Sequence, residues 1–196
     1  MEKSKKRRVT GIILVLLAVA ITAGIVAVFI PPKVRVTEIS VIGSNRFWPN
    51  DDDALSAIQT IFQIAKEGSD DYTQLLSDAD ALPSDNALYY SVVTIRMTVT
   101  GRSWWDGYIP DVLVDSYEDP NGILLVKTPS PKGCDIDRLI RKEYFDVQLY
   151  ICTAGKTRED VAEMLRSIRL RIPYTNWIHP DGTVYSSCRK AKITIQ

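Results

Sequence analysis

Leu88-Tyr89-Tyr90-Ser91-Val92-Val93-Thr94-Ile95-Arg96-Met97-Thr98-Val99-Thr100 is the stretch that decides the fold class. Tyr89, Ser91, Val93, Ile95, Met97 and Val99 alternate with Thr94, Arg96, Thr98 and Thr100. Successive side chains of a strand point to opposite faces, so this spacing predicts a strand with one face in a core and the other in water. Residues 143–152 alternate in the same way, with Phe145, Val147, Leu149 and Ile151 on one face. Residues 33–42 (KVRVTEISVI) are rich in β-branched side chains and predict a first strand, with a bulge where the alternation slips near Glu38.

Outward from these strands the signals are local. Asp119-Pro120-Asn121-Gly122 is a turn sequence, and the segments beside it, 111–117 and 122–128, are expected to form a hairpin. Gly101 to Tyr108 reads as a loop, and 134–142 as one or two helical turns. Leu55, Ile58, Ile61, Phe62 and Ile64 recur at helical spacing, and a shorter helix is expected around Tyr72 to Ser77. Thr157 and Asp160 form a capping-box pattern ahead of Val161, Met164, Leu165 and Ile168, which predicts a helix that stops before Pro173. Thr183 to Ile195 reads as a last strand. Strands with helices gathered in two places indicate an α+β fold, an antiparallel sheet with helices packed on it; a β-sandwich with helical insertions is the alternative. The strand and helix from Tyr144 to Arg171, ending Met164-Leu165-Arg166-Ser167-Ile168-Arg169-Leu170, resemble the end of PsbP-like domains of exported proteins, and that resemblance implies a sheet backed by helices.

At the N-terminus, Val9 to Ile30 is free of charge. At 1.5 Å per residue such a helix is about 33 Å long, against a hydrocarbon layer of about 30 Å. A cleavable signal peptide has a shorter apolar region and a small-residue cleavage site, whereas this run ends Val28-Phe29-Ile30-Pro31-Pro32. The expected organisation is a basic cytoplasmic tail at 1–8, a transmembrane helix at 9–30, and a single extracytoplasmic domain at 31–196 with an acidic helical insertion at about 50–86. The orientation follows from Lys3, Lys5, Lys6, Arg7 and Arg8 ahead of the run, although Lys33, Arg35 and Arg46 follow it.

The whole chain has 24 basic and 24 acidic residues. Removing the five bases and Glu2 of the tail leaves 19 and 23, a net of −4, which argues against nucleic acid as a partner. The charge is uneven. Residues 51–85 hold nine acids and one base, a net of −8, while 127–192 hold 13 bases and eight acids, a net of +5. The acidic stretch has no Asp-x-Asp-x-Asp-Gly calcium loop, and one His with three Cys is too few for a multi-ligand zinc site, so no metal or other cofactor is expected.

Two groups of residues invite a function. His179 and Arg189 stand near Cys188 in sequence and would activate its thiol if the fold placed them against it, the basis for an anchored surface enzyme using Cys188. Sortases resemble this in placing a Cys at a strand end, but their His lies tens of residues before it, whereas His179 is nine residues away. The plainer reading of the cysteines is a disulfide, with Cys152–Cys188 favoured because both lie off the apolar faces of their strands, and three reduced thiols are the alternative. The second group is Trp104, Trp105 and Tyr108, residue types that dominate binding energy when desolvated, in a loop between two strands.

The reading that follows is a non-catalytic, single-pass membrane protein of the cell envelope whose extracytoplasmic domain binds or scaffolds a protein partner. It has no catalytic residues, meets the lipid bilayer through residues 9–30, and contacts its partner through Trp104, Trp105 and Tyr108. A pilin-like filament subunit is the alternative, because Arg7-Arg8-Val9-Thr10-Gly11 before a long apolar helix resembles the start of archaeal pilins.

Overall fold

The computed structural model describes residues 2–43, 56, 90–102, 106–118, 125–127, 133–137 and 141–196. In chain order, helix α1 (Glu2–Val28) leads into strands β1 (Lys33–Gly43), β2 (Tyr90–Thr100), β3 (Gly107–Ile109), β4 (Leu113–Ser116), β5 (Leu125–Lys127), β6 (Cys134–Ile136) and β7 (Lys142–Cys152). Helix α2 (Arg158–Ser167) follows, then β8 (Arg169–Asn176), β9 (Gly182–Ser187) and β10 (Lys192–Ile195). The chain is a mixed α/β protein, two helices among the described residues with mostly antiparallel sheets. Apart from Ser56, which is helical and exposed, the acidic insertion and its two expected helices lie outside the described residues.

The first sheet has the order β10-β1-β2-β7-β5, and β2 is its centre. It pairs without interruption along β7, from Tyr90 opposite Cys152 to Thr100 opposite Lys142. On its other side the register with β1 shifts between Val36 and Glu38. This is the bulge that the slipped alternation predicts, and the Thr37 hydroxyl donates to the Arg96 carbonyl at 3.1 Å. Val93, Ile95, Met97 and Val99 are buried, while Arg96 on the opposite face is exposed.

The second sheet is built on β8, with β9 on one side and β4 and β3 on the other, and β6 beyond β3. Residues 107–108 pair with 176–175 and residues 113–114 with 171–170, so β3 and β4 act as one interrupted strand along β8. Pro110 lies in the gap between β3 and β4, and Pro173 lies within β8; neither has an N–H to give a ladder, and β8 keeps its pairing to β9 through the same stretch.

Both sheets and α2 share one core. The first sheet contributes Ile39, Val41, Ile95, Met97, Val147 and Leu149, the second Ile109, Ile136, Leu170 and Ile172, and the helix Val161, Met164 and Leu165. The helix starts on the expected capping box: the Asp160 N–H donates to Thr157 Oγ1 at 3.1 Å and the Thr157 N–H to Asp160 Oδ2 at 2.9 Å.

Five expectations are corrected. There are two sheets instead of one. The segments flanking Asp119–Gly122 do not pair with each other: β4 joins β8 and β5 joins β7, because each finds a longer strand whose edge is open. The expected helical turns at 134–142 give way at their start to β6, which pairs with β3. The stretch before Pro173 is strand from Arg169, because Ile168 leaves the helix at φ −58°, ψ 128°. The stretch read as one last strand is two, β9 in the second sheet and β10 in the first.

Among the described residues no helix is long and apolar enough to cross a membrane. The described side chains of α1 run from Gly11 to Val26, about 24 Å of helix. Its large apolar side chains from Ile12 to Val26 are 55–63% exposed, so the domain does not cover them.

Candidate functional site

Cys188 sits where the chain changes sheets. β9 ends at Ser187 and β10 begins at Lys192, and the corner between them is held by two backbone bonds and one from a backbone N–H to a side chain. The Cys188 N–H donates to the Ile168 carbonyl at 3.0 Å, the Ala191 N–H to the Cys188 carbonyl at 3.0 Å, and the Arg189 N–H to Ser187 Oγ at 3.2 Å. The side chain is fully buried in the shared core, and burial pushes its thiol up to about 12. A nucleophilic cysteine needs the reverse, a thiolate favoured by a nearby cation or base. The His179 ring packs elsewhere and Arg189 is exposed, so the fold does not assemble the three as a thiol-activating group.

The other cysteines are also free and buried. Burial, with Glu143 and Asp135 adding to it, pushes Cys134 up to about 11, and its Sγ donates to the Asp135 carbonyl at 3.4 Å. Cys152 lies opposite Tyr90 in a separate cluster with Tyr150 and Ala154, on the face of the first sheet that also carries Arg96 and Asp146. The structure therefore does not bring Cys152 and Cys188 together. The parity argument fails at Cys188, which is on a corner and not on a strand.

The turn between β8 and β9 joins the domain to α1. Asn176 Oδ1 accepts from the N–H groups of Ile178 at 3.0 Å and His179 at 2.5 Å, and the Asn176 N–H returns a bond to the His179 carbonyl at 3.0 Å. This fixes the His179 ring edge-on between Tyr174, 6.2 Å away, and Phe29, 6.0 Å away. Phe29 is the first residue after α1, so the turn is packed against the helix end. The buried His179 Nε2 has no hydrogen-bond partner among the described residues. Trp177, two residues before it, is 78% exposed, more than any other aromatic of the described domain. Gly182 supports the turn: a Cβ there would come within 2.3 Å of the Tyr174 ring.

Of the aromatic loop, Trp104 and Trp105 lie outside the described residues. Tyr108 is in β3, so the loop ends two residues earlier than expected, at Asp106. Its ring lies across Gly133, where a Cβ would meet the ring and hydroxyl at 2.1 Å, and 42% of the residue remains exposed. Tyr108 is thus a half-exposed aromatic held in one position by backbone contact, which lowers the entropy a partner must overcome. The exposed Trp177 was not singled out as a contact residue; its signal was the Asn176 to Gly182 turn chemistry, which puts an aromatic at a hairpin tip. Among the described residues no three His, Cys, Asp or Glu side chains gather as a metal site. No protein-family model matches this chain, and no curated protein matches it.

Proposed function

We propose that the chain is a single-pass membrane protein, anchored by residues 9–30 with its N-terminus cytoplasmic, and that its 31–196 domain works outside the cytoplasm by binding a protein partner, without catalysis. The observation that carries this reading is the exposure of the apolar α1 side chains on all sides of the helix: Ile12, Leu14, Val15, Leu16, Leu17 and Val19 have no cover from the domain. An apolar surface of that kind is stable in lipid or against other helices and not in water. The turn at 176–181 supports the same reading. Its His179 ring packs on Phe29 at the helix end and its Trp177 is exposed, and tryptophan is a residue type that favours the membrane interface.

The contact surface for the partner is Tyr108 together with Trp104 and Trp105, which precede it in sequence. The fixed Tyr108 ring is the supporting observation. Sodium carbonate extraction and protease treatment of intact cells test the anchor. The expected result is retention in the membrane pellet, with protease digesting the domain after Pro32 and sparing the N-terminus. Release by carbonate, or protection of the whole domain, overturns the anchor or its orientation. A mature chain that has lost its basic leader would favour the filament-subunit alternative.

A further inference from the structure

A recess of about 590 Å³ lies between β1 and the corner after β9, lined by Arg35, Val36, Ser186, Ser187, Arg189 and Lys190. It exists because two strands part company there. β10 pairs with β1 only from Glu38 onward, so the earlier residues of β1 are paired on the β2 side alone. β9 passes close to that open edge, with Ser186 Oγ donating to the Val34 carbonyl at 3.4 Å, and the corner then turns Arg189 and Lys190 outward.

The lining has the chemistry of an anion site. Three cations line it, no carboxylate does, and no ion pair among the described residues involves Arg35, Arg189 or Lys190. Ser187 Oγ accepts from the Arg189 N–H, which leaves its hydroxyl hydrogen free to donate into the recess. The Lys190 N–H has no acceptor among the described residues. Three other arginines of the domain are paired: Arg96 with Asp146, Arg141 with Asp137 and Glu143, Arg169 with Asp115.

We propose that this recess binds a phosphate-bearing anion. Two guanidiniums, an ammonium, a hydroxyl and a backbone N–H provide more donors than one carboxylate can accept, whereas a phosphate group offers three or four oxygens, and arginine matches two of them at once. The ligand is a lipid headgroup phosphate or a soluble phosphate ester; both present the same group to the recess. The site is independent of the partner surface at Tyr108 and does not require α1 to span a bilayer.

The test follows the amide resonances of Ser187, Arg189 and Lys190 in the isotope-labelled full chain, held in zwitterionic micelles, while inorganic phosphate is added at constant ionic strength. Saturable shifts are expected with phosphate and none with chloride, and the double variant R35Q/R189Q should bind at least ten-fold more weakly at unchanged melting temperature. K190Q, a single exposed change, should weaken binding by a smaller factor. No saturable shift, or equal binding in R35Q/R189Q, overturns the proposal. Adding phosphatidylglycerol to the micelles separates the sources: loss of the phosphate response supports a lipid headgroup, and an unchanged response supports a soluble phosphate ester.

Discussion

β2 with β7 and the segment from Arg169 to Ile195 are both mostly strand, and they use their patterns in opposite ways. β2 and β7 stay in one sheet for eleven residues each, in unbroken register, and their alternation maps onto a buried and a more exposed face except at the end where Tyr90 and Cys152 are buried on the outer side. The C-terminal segment runs as β8 and β9 in the second sheet, turns at Cys188, and finishes as β10 beside β1 in the first. A period of two fixes which side of a strand is buried; it carries no information about which sheet the strand joins. The C-terminal segment ties the two sheets to each other, and the choice is made by a buried corner and a strand edge left open elsewhere.

The largest expected effect lies in the first region. Ile95→Asp places a carboxylate at a fully buried position of the central strand, with core side chains on both neighbouring strands, and should cost about 4 kcal/mol or more. Thr98→Asp, on the other face of the same strand, should cost less than about 1 kcal/mol. Denaturant unfolding measures both, and equal losses would show that the two faces of β2 are not distinguished as the structure has them.

The long strands were legible because each residue repeats the same signal. The short ones were not. β3, β4, β5 and β6 have three or four residues each, too few for a period to show, and their pairing depends on strands far away in sequence. The turn at Asp119–Gly122 was a good local signal for a hairpin, yet strands β4 and β5 found other partners, so tertiary pairing outweighed turn chemistry. The capping box and the Glu38 bulge were legible because both are local. The candidate sites follow the same division. Tyr108 could be found as an aromatic in a short segment, but Arg35 and Arg189 meet across most of the chain, and the only trace of their recess in sequence was the basic balance of residues 127–192.

The next effect tests the corner. Folding raises the Cys188 pKa above its ordinary value of 9.0 to about 12, because burial disfavours the thiolate. The neutral thiol is thus the form the native state prefers, so its contribution is fully present below pH 9 and is lost as pH rises toward 12, by up to about 1.4 kcal/mol per pH unit. Cys134, Tyr150 and Tyr174 are raised too and push in the same direction. The comparison that isolates Cys188 is the wild type against Cys188→Ala: the variant should be less stable at neutral pH, through lost packing, and its stability should fall less steeply between pH 9 and 11. Parallel curves would place the thiol in water at the corner.

A smaller effect checks the junction between the two regions. Thr157→Ala removes the side-chain acceptor that starts α2 and should cost about 1 kcal/mol. Backbone and side-chain bonds from Thr157 hold the Asp160 pKa below its ordinary value. A depressed carboxylate stabilises the fold above its unfolded pKa and stops doing so as pH falls through its folded pKa. The loss from Thr157→Ala should accordingly shrink in acid, which thermal melts at pH 7 and pH 2.5 would measure; an unchanged loss would mean that the hydroxyl acts without its reciprocal partner.

The smallest effect is on the outer face of the first sheet. Arg96 and Asp146 face each other across β2 and β7, and the guanidinium donates through Nε at 2.9 Å and an Nη at 2.8 Å to the two carboxylate oxygens. Asp146 raises the Arg96 pKa, first by its hydrogen bonds and then by its charge. The geometry is the favourable two-pronged one, but both side chains are well exposed, and water screens their attraction while holding two long side chains in place costs entropy. A double-mutant cycle with Arg96→Ala and Asp146→Ala should therefore give a coupling smaller than the loss from Thr157→Ala, and 1 M salt should remove most of it. A coupling as large as the loss at Ile95, or one indifferent to salt, would mean that this face is covered and that the contrast between the two sides of β2 is less sharp than exposure makes it.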